Sequence, residues 1–223
     1  MSRVKIGVLG CGAVAQVQHL PNLLELDEAY EVSVVCDLSP DQARYVAERF
    51  RIPTHVSQVE DLLASDIDAV LLCHTDPKSD ETIAAFNASK HVLVEKPVCA
   101  SLQEADAMIE AMNRSGKVGQ AAYMKAYDPA FVLAQKEVEG MDFSFIQINH
   151  LHPSNNLHLS HFNVQYAGSL RDDIRKKRRQ AYREKLEQAF GDLTDRAESE
   201  CAIAYGLIHD LYSLRNMVGV PGA

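Results

Sequence analysis

The stretch that decides the fold is Val4-Lys-Ile-Gly-Val-Leu-Gly-Cys-Gly-Ala-Val-Ala15. Its apolar start predicts a buried parallel strand, and the glycine turn Gly10-x-Gly12-x-x-Ala15 follows directly. A helix is then predicted from the spacing of apolar residues at Val14, Val17, Leu20, Leu23 and Leu24. Strand, glycine turn and helix in this order predict a dinucleotide-binding fingerprint, with the pyrophosphate at the helix N-terminus.

Each small residue of this turn has an expected role. Gly10 permits the tight turn, Gly12 leaves room for the pyrophosphate beside the backbone, and Ala15 lets helix and strand pack closely. The backbone at the helix N-terminus, which includes Ala13 and Val14, supplies N–H groups and a positive dipole end for the phosphates. We therefore expect all five residues to bind the cofactor.

The second predicted strand, Glu31–Asp37, ends in a carboxylate 22 residues beyond Ala15. An acid at this place accepts hydrogen bonds from an adenosine ribose and repels a 2′-phosphate, so the sequence favours NAD over NADP. Two alternatives stay open. Asp37 could instead be a turn or helix-capping acid, since Ser39-Pro40-Asp41 opens the next helix, and Arg44 could accommodate NADP.

Composition excludes several classes of protein. The 223 residues suit one large domain or two small ones, and the net charge of −9 argues against nucleic acid as the main partner. Neither a membrane span nor a signal peptide is expected, because no apolar run is long enough and the first residues lead straight into a strand. The five cysteines form no C-x-x-C pair, which indicates a reducing cytoplasm without disulfides or zinc.

Strands and helices alternate through the first 124 residues, which predicts an α/β fold with a doubly wound parallel sheet. Ligands bind beyond the carboxyl ends of such strands. The residues at those ends are Gly10, Asp37, His74, Glu95, Lys96 and Tyr123. We therefore predict a dinucleotide-binding domain over 1–124, with its cleft at this edge.

The pattern changes in residues 125–223. Alternating apolar residues predict a strand over Phe143–His150 and a second over Leu157–Tyr166, followed by helices over about 170–190 and 198–218. One or two strands form no stable sheet alone. This region is therefore expected to be a partial α+β domain for substrate binding or oligomerisation.

The glycine turn and His91-Val-Leu-Val-Glu-Lys-Pro97 together resemble the Gfo/Idh/MocA family of NAD(P)-dependent oxidoreductases. Tyr123–Pro129 and Gly206–Asp210 extend the resemblance over the chain, most closely up to residue 130. It implies a Rossmann domain and hydride transfer between a nicotinamide and a hydroxyl or ketone of a sugar, polyol or related small molecule. It also implies a homo-oligomer where the second domain's sheet is complete.

The resemblance further implies the roles of individual residues. Lys96 would hydrogen-bond the substrate oxygen and relay its proton, while His209 would be the catalytic acid or base. Glu95 would orient Lys96 or the nicotinamide ribose, and His74, Glu95 and Lys96 would also belong to the cofactor site, with Lys96 beside the nicotinamide. The alternatives are a solvated Lys96, a structural salt bridge for Glu95 and an ordinary core position for His209.

Three positions depart from the family pattern. Tyr205 stands where an aspartate is usual, Ala126 where an arginine is common and Lys78 where a histidine is often found. The second domain is also shorter than in the family. These departures keep open a second function, that of an NAD(P)-binding regulator or sensor with little or no catalysis.

Two further clusters are candidate ligand sites. His150, His152, His158 and His161 lie close together, but no Cys, Asp or Glu nearby would complete a metal site, so none is predicted. Arg171–Lys185 holds eight basic residues against three acidic ones. It is predicted to be a solvated helix; the weaker alternatives are binding of nucleic acid or an anionic ligand, or an interaction module that uses this helix.

Overall fold

A computed structural model describes residues 2–149, 157, 159–167 and 172–219. The centre is a six-stranded sheet in the order β3-β2-β1-β4-β5-β6, with every neighbouring pair parallel. The strands are β1 Val4–Leu9, β2 Tyr30–Cys36, β3 Thr54–Val56, β4 Ala69–Leu72, β5 His91–Val94 and β6 Gly119–Ala121. The strand order reverses between β1 and β4, which is where a doubly wound sheet opens a ligand crevice.

Helices connect the strands and continue beyond them. A π-helical turn, Ala15–His19, leads into α1, and 3-10 turns lie at Met124–Tyr127 and Gly191–Leu193. The α-helices are α1 Leu20–Glu25, α2 Pro40–Phe50, α3 Val59–Ala64, α4 Ser79–Asn87, α5 Leu102–Ser115, α6 Pro129–Val138, α7 Asp172–Phe190 and α8 Thr194–Val218. Within the described ranges, no helix is long and apolar enough to cross a membrane.

The core lies on both faces of the sheet because consecutive strand residues point to opposite sides. On β1, Val8 packs on one face with Val35 and Val46, while Leu9 packs on the other with Leu72. Each such side chain contributes about 1.5–3 kcal/mol by leaving water. The predicted α/β fold with a doubly wound parallel sheet is confirmed.

The second region (residues 125–223, with 1–124 as the first region) differs from the sequence-based prediction of two strands. Phe143–Asn149 is not a strand. Residues 157 and 159–163 form helical or turn conformations and 164–166 have no regular structure, so both strand predictions are wrong there. The alternating pattern is present, but no described strand lies beside these residues to supply ladder hydrogen bonds, and Phe145 is 76% exposed. His150 lies outside the described residues. The boundary at residue 124 stays a prediction.

Candidate functional site

A cleft of about 770 Å³ opens at the carboxyl edge of the sheet. The first region lines it with the ends of its strands and the loops that follow them. The second region closes it with α7, α8 and the segment 159–166. The lining residues include Gly10, Gly12, Ala13, Val14, Asp37, His74, Glu95, Lys96, Tyr166, Arg175, Arg178 and Tyr205.

The two glycines of the turn serve different purposes. Gly10 has a φ of 94°, and a Cβ there would lie 2.6 Å from the backbone nitrogen of His74, so this position requires glycine for folding. A Cβ on Gly12 would meet nothing within 4 Å. Ala13 and Val14 line the cleft, whereas Ala15 is fully buried in the core beneath. Space beside the backbone is therefore present at Gly12.

Asp37 holds the turn together. Its Oδ2 accepts the N–H of Cys11 at 2.9 Å and its Oδ1 accepts the N–H of Ser39 at 2.9 Å. The turn role considered for Asp37 is thus present, whereas the cap of α2 is Ser39, whose Oγ accepts the N–H of Gln42. The ribose contact stays a prediction. Arg44 pairs with Asp41 at 2.6 Å on the surface and does not line the cleft.

Two buried glutamines were missed by the sequence analysis. The Nε2 atoms of Gln16 and Gln42 donate to the carbonyl of Cys11 at 3.0 and 2.8 Å, and to the carbonyl of Gln165 at 2.9 and 3.2 Å. Ala167 N–H donates in return to Gln42 Oε1 at 2.6 Å. These bonds attach a segment of the second region to the glycine turn. No local sequence pattern predicts hydrogen bonds between residues that lie more than 100 positions apart.

Glu95 and Lys96 follow β5 directly. Glu95 Oε1 lies 2.8 Å from His19 Nε2, and Glu95 Oε2 accepts the Lys96 N–H at 3.0 Å. Burial raises the pKa of Glu95, but the hydrogen bonds and charges of His19 and Lys96 bring it below its ordinary value. The Lys96 ammonium lies 5.1 Å from the centroid of the Tyr205 ring. The salt bridge considered for Glu95 is present, and Lys96 faces the cleft.

His209 lies on α8, one turn beyond Tyr205, and unlike Tyr205 it is not among the residues that line the cleft. Its Nδ1 is 3.0 Å from Tyr212 Oη, and that oxygen accepts the N–H of Lys125 at 3.0 Å. Burial, then the charges of Lys96 and Lys125, lowers the pKa of His209 despite the opposing charges of Glu95 and Asp210. The fold thus brings His209 within electrostatic reach of Lys96.

Arg178 anchors α7 to the loop after β4. Its Nη2 lies 3.0 Å from His74 Nδ1 and donates to the carbonyls of Thr75 and Pro77, each at 2.8 Å. Its Nη1 pairs with Glu81 at 3.2 Å. The prediction of a solvated helix is therefore wrong for this face of α7. Lys185 on the same helix pairs with Asp80 at 2.8 Å. Arg178 and Lys185 are seven residues apart and so share one face of α7, and this spacing was the sequence signal that could have indicated a packed face.

His74 lies under this contact. Burial lowers the pKa of His74, and the charges of Arg178 and Lys78 lower it further. Glu81 and the hydrogen bond to the Thr75 carbonyl act in the opposite direction but do not cancel this effect. Its Nε2 is buried and has no hydrogen-bond partner in the described part of the chain. The ring is therefore held neutral at the wall of the cleft.

Metal-ligating side chains do not cluster in the described parts of the chain: no group of three or more His, Cys, Asp or Glu residues there could hold a metal ion. His150, His152 and His158 lie outside the described residues, as does Arg171. The five cysteines are free thiols.

Residues 4–123 match the family model GFO_IDH_MocA, described as an oxidoreductase family with an NAD-binding Rossmann fold. The chain therefore belongs to the Gfo/Idh/MocA family. Among curated proteins, inositol 2-dehydrogenase of Klebsiella pneumoniae (strain 342) is 29% identical over 143 residues, covering 62% of this chain and 42% of that protein. The chain thus spans about two fifths of the length of the relative it matches.

Solved structures agree on the fold. The 3-ketoreductase KijD10 of Actinomadura kijaniata, in complex with NADP and TDP-benzene, has a TM-score of 0.58 and 26% identity, covering 62% of this chain and 42% of its own. The WlbA dehydrogenase of Bordetella pertussis, in complex with NADH and UDP-GlcNAcA, has a TM-score of 0.59 at 20% identity, covering 62% and 42%. One neighbour holds NADP and the other NADH.

Proposed function

We propose that this chain binds NAD or NADP in the cleft and transfers hydride between the nicotinamide and a hydroxyl or ketone of a sugar, polyol or related small molecule. The observation that carries the proposal is the open space at Gly12, on the same cleft as the Lys96 ammonium. Membership of an oxidoreductase family and the likeness to inositol 2-dehydrogenase support the reaction class.

A dinucleotide fits the residues of the cleft. Gly12, Ala13 and Val14 would hold its phosphates at the helix N-terminus, where backbone N–H groups and the helix dipole favour anions. Asp37 would bind the adenosine ribose, and His74 with Glu95 the nicotinamide end. When bound, the nicotinamide supplies the acceptor or donor of hydride.

Lys96 and His209 would divide the proton chemistry. The Lys96 ammonium would donate to the substrate oxygen and stabilise the alkoxide that develops there. With its hydrogen on Nδ1, His209 donates to Tyr212 Oη and leaves Nε2 as the base that takes the substrate proton. Its lowered pKa favours that neutral form at pH 7.

Binding and turnover are measured separately. NADH binding is followed by calorimetry, and turnover by NADH absorbance against a panel of polyols and aldoses that includes myo-inositol. Lys96→Met is expected to lower turnover at least a hundredfold while NADH affinity changes little. Lys90→Met is the matched control, since Lys90 donates to the Ile67 carbonyl at 2.7 Å before β5, at the opposite edge of the sheet. Full turnover in Lys96→Met contradicts the proposed role.

The preference for NAD is tested at Asp37. Asp37→Asn removes the charge that would repel a 2′-phosphate, so the ratio of NADP to NAD affinity is expected to rise about tenfold. Asp106→Asn, at an exposed position on α5, is the control. An unchanged ratio of NADP to NAD affinity in Asp37→Asn would show that Asp37 does not bind the adenosine ribose.

A second candidate function is that of an NAD(P)-binding regulator without turnover. It is favoured by the Tyr205 ring, which lies over the ammonium of Lys96. NADH binding without turnover of any compound in the panel would support it, whereas turnover that is lost in Lys96→Met would reject it.

A further inference from the structure

Lys78 carries a buried charge between two loops at the carboxyl edge of the sheet. Its side chain is 1% exposed, and its Nζ lies 2.5 Å from Asp76 Oδ1. The same Nζ donates to the carbonyl oxygen of Pro97 at 2.8 Å. An ammonium buried without partners is strongly unfavourable, so Lys78 holds both groups in place.

The two partners belong to different loops. Asp76 lies between β4 and α4, whereas Pro97 lies between β5 and α5, directly after Lys96. Lys78 immediately precedes α4, and its carbonyl accepts the Thr82 N–H at 3.0 Å. The ammonium therefore ties Pro97 to the first turn of a helix that packs on the core.

The Glu95-Lys96-Pro97 turn is thus held on both sides of Lys96. On one side, the Glu95 carboxylate is bonded to His19 at 2.8 Å. On the other side, the Pro97 carbonyl is bonded to Lys78 at 2.8 Å. The backbone position of Lys96 depends on both contacts.

We propose that Lys78 is a positioning residue for Lys96. By holding Pro97 against Asp76 and α4, it sets where the Lys96 ammonium lies, beneath the Tyr205 ring and near His209. The consequence for catalysis rests on the proposed function of Lys96. The placement of Lys96 does not, and it can be measured without substrate or cofactor.

His209 reports on the placement of Lys96. The charges that act on its imidazole are Lys96 and Lys125, which lower its pKa, and Glu95 and Asp210, which raise it. NMR titration of the full chain, with the His209 signal assigned by comparison with His209→Gln, measures this pKa. Lys96→Met is expected to raise it and so gives the scale of the effect.

Lys78→Met is expected to raise the pKa of His209 towards the value in Lys96→Met, because the ammonium of Lys96 moves away. Adding Lys78→Met to Lys96→Met is expected to cause no further shift, since the effect passes through Lys96. Lys78→Arg keeps the positive charge and the hydrogen-bond donors, so the pKa of His209 in this variant is expected to stay at the wild-type value. Lys90→Met is the control for loss of a lysine–carbonyl contact elsewhere.

If Lys78→Met alone does not fold, the double variant Lys78→Met/Asp76→Asn, which removes both charges of the pair, is used for the same His209 titration. A wild-type His209 titration in either folded variant overturns the proposal, as does an equal shift in Lys90→Met. Neither result touches the proposed function, which fails instead if Lys96→Met keeps full turnover.

Discussion

The ammonium of Lys96 lies 5.1 Å from the centroid of the Tyr205 ring, so the two regions of the chain meet at the proposed catalytic cation. Lys96 follows β5, whereas Tyr205 lies on α8. Burial, then the charges of Asp76 and Glu95, raises the pKa of Tyr205, which keeps its hydroxyl neutral. The contact is therefore one of a cation with an aromatic face, at the position where the family resemblance implies an aspartate.

Replacing the Tyr205 ring tests this contact. A cation–π contact is worth about 0.5–2 kcal/mol, so Tyr205→Leu is expected to lower turnover on the polyol panel by about 2- to 30-fold. Tyr205→Phe keeps the aromatic face and is expected to stay within about twofold of wild type, since the ring carries the contact. Equal losses in both variants would show that the hydroxyl matters and the ring does not.

Gly10 and Gly12 are expected to respond differently to the same added methyl group. Gly10→Ala forces a φ of 94° on alanine and places its Cβ against the His74 backbone, so thermal unfolding should show a loss of about 1–3 kcal/mol or more. Gly12→Ala meets no protein atom and should fold normally, but the methyl enters the space assigned to the pyrophosphate. Calorimetry with NADH should therefore show the binding loss in Gly12→Ala. Unchanged affinity there would contradict the phosphate assignment.

Arg178 and its neighbour Arg179 form a matched pair on α7. The Arg178 side chain is 22% exposed and its guanidinium bonds Glu81 and two carbonyls, whereas the Arg179 side chain is 83% exposed and its guanidinium lies 3.8 Å from Glu198. Arg178→Met is expected to cost about 2–3 kcal/mol of unfolding free energy, against less than about 1 kcal/mol for Arg179→Met. Hydrogen exchange should also accelerate in α7 for Arg178→Met. Equal costs would mean that α7 is not anchored there.

Stability is expected to fall as the solution becomes acidic. The folded-state pKa values of His74 and His209 both lie below the ordinary 6.5, by burial first, so the unfolded chain takes up protons at a higher pH than the folded one. The stability that these neutral rings contribute to the folded state is fully present above about pH 6.5 and is lost progressively as the pH falls below that value. Melting temperatures from pH 8 to pH 5 should show this decline, and His209→Gln should reduce it. A melting temperature independent of pH in this window would contradict the lowered values.

Much of the first region could be predicted because its signals are local. Strand, glycine turn and helix follow one another along Val4–Glu25, and the starts of α2 and α5 carry serine caps that accept the N–H groups of Gln42 and Glu104. The cleft was also predictable, since the carboxyl ends of parallel strands share one edge. The second region was harder, because whether Phe143–Asn149 pairs as a strand depends on a neighbour and not on its own alternation.

The sequence by itself determined the dinucleotide fold and the residues at its ligand edge, since glycine spacing and apolar periodicity act over a few residues. Only the tertiary structure decided what surrounds them: Gln16 and Gln42 holding a distant segment, Arg178 anchoring α7, Tyr205 over Lys96, and Lys78 between two loops. The physical reason is that a buried charge or amide is stable only with a partner, and the chain supplies these partners from remote positions.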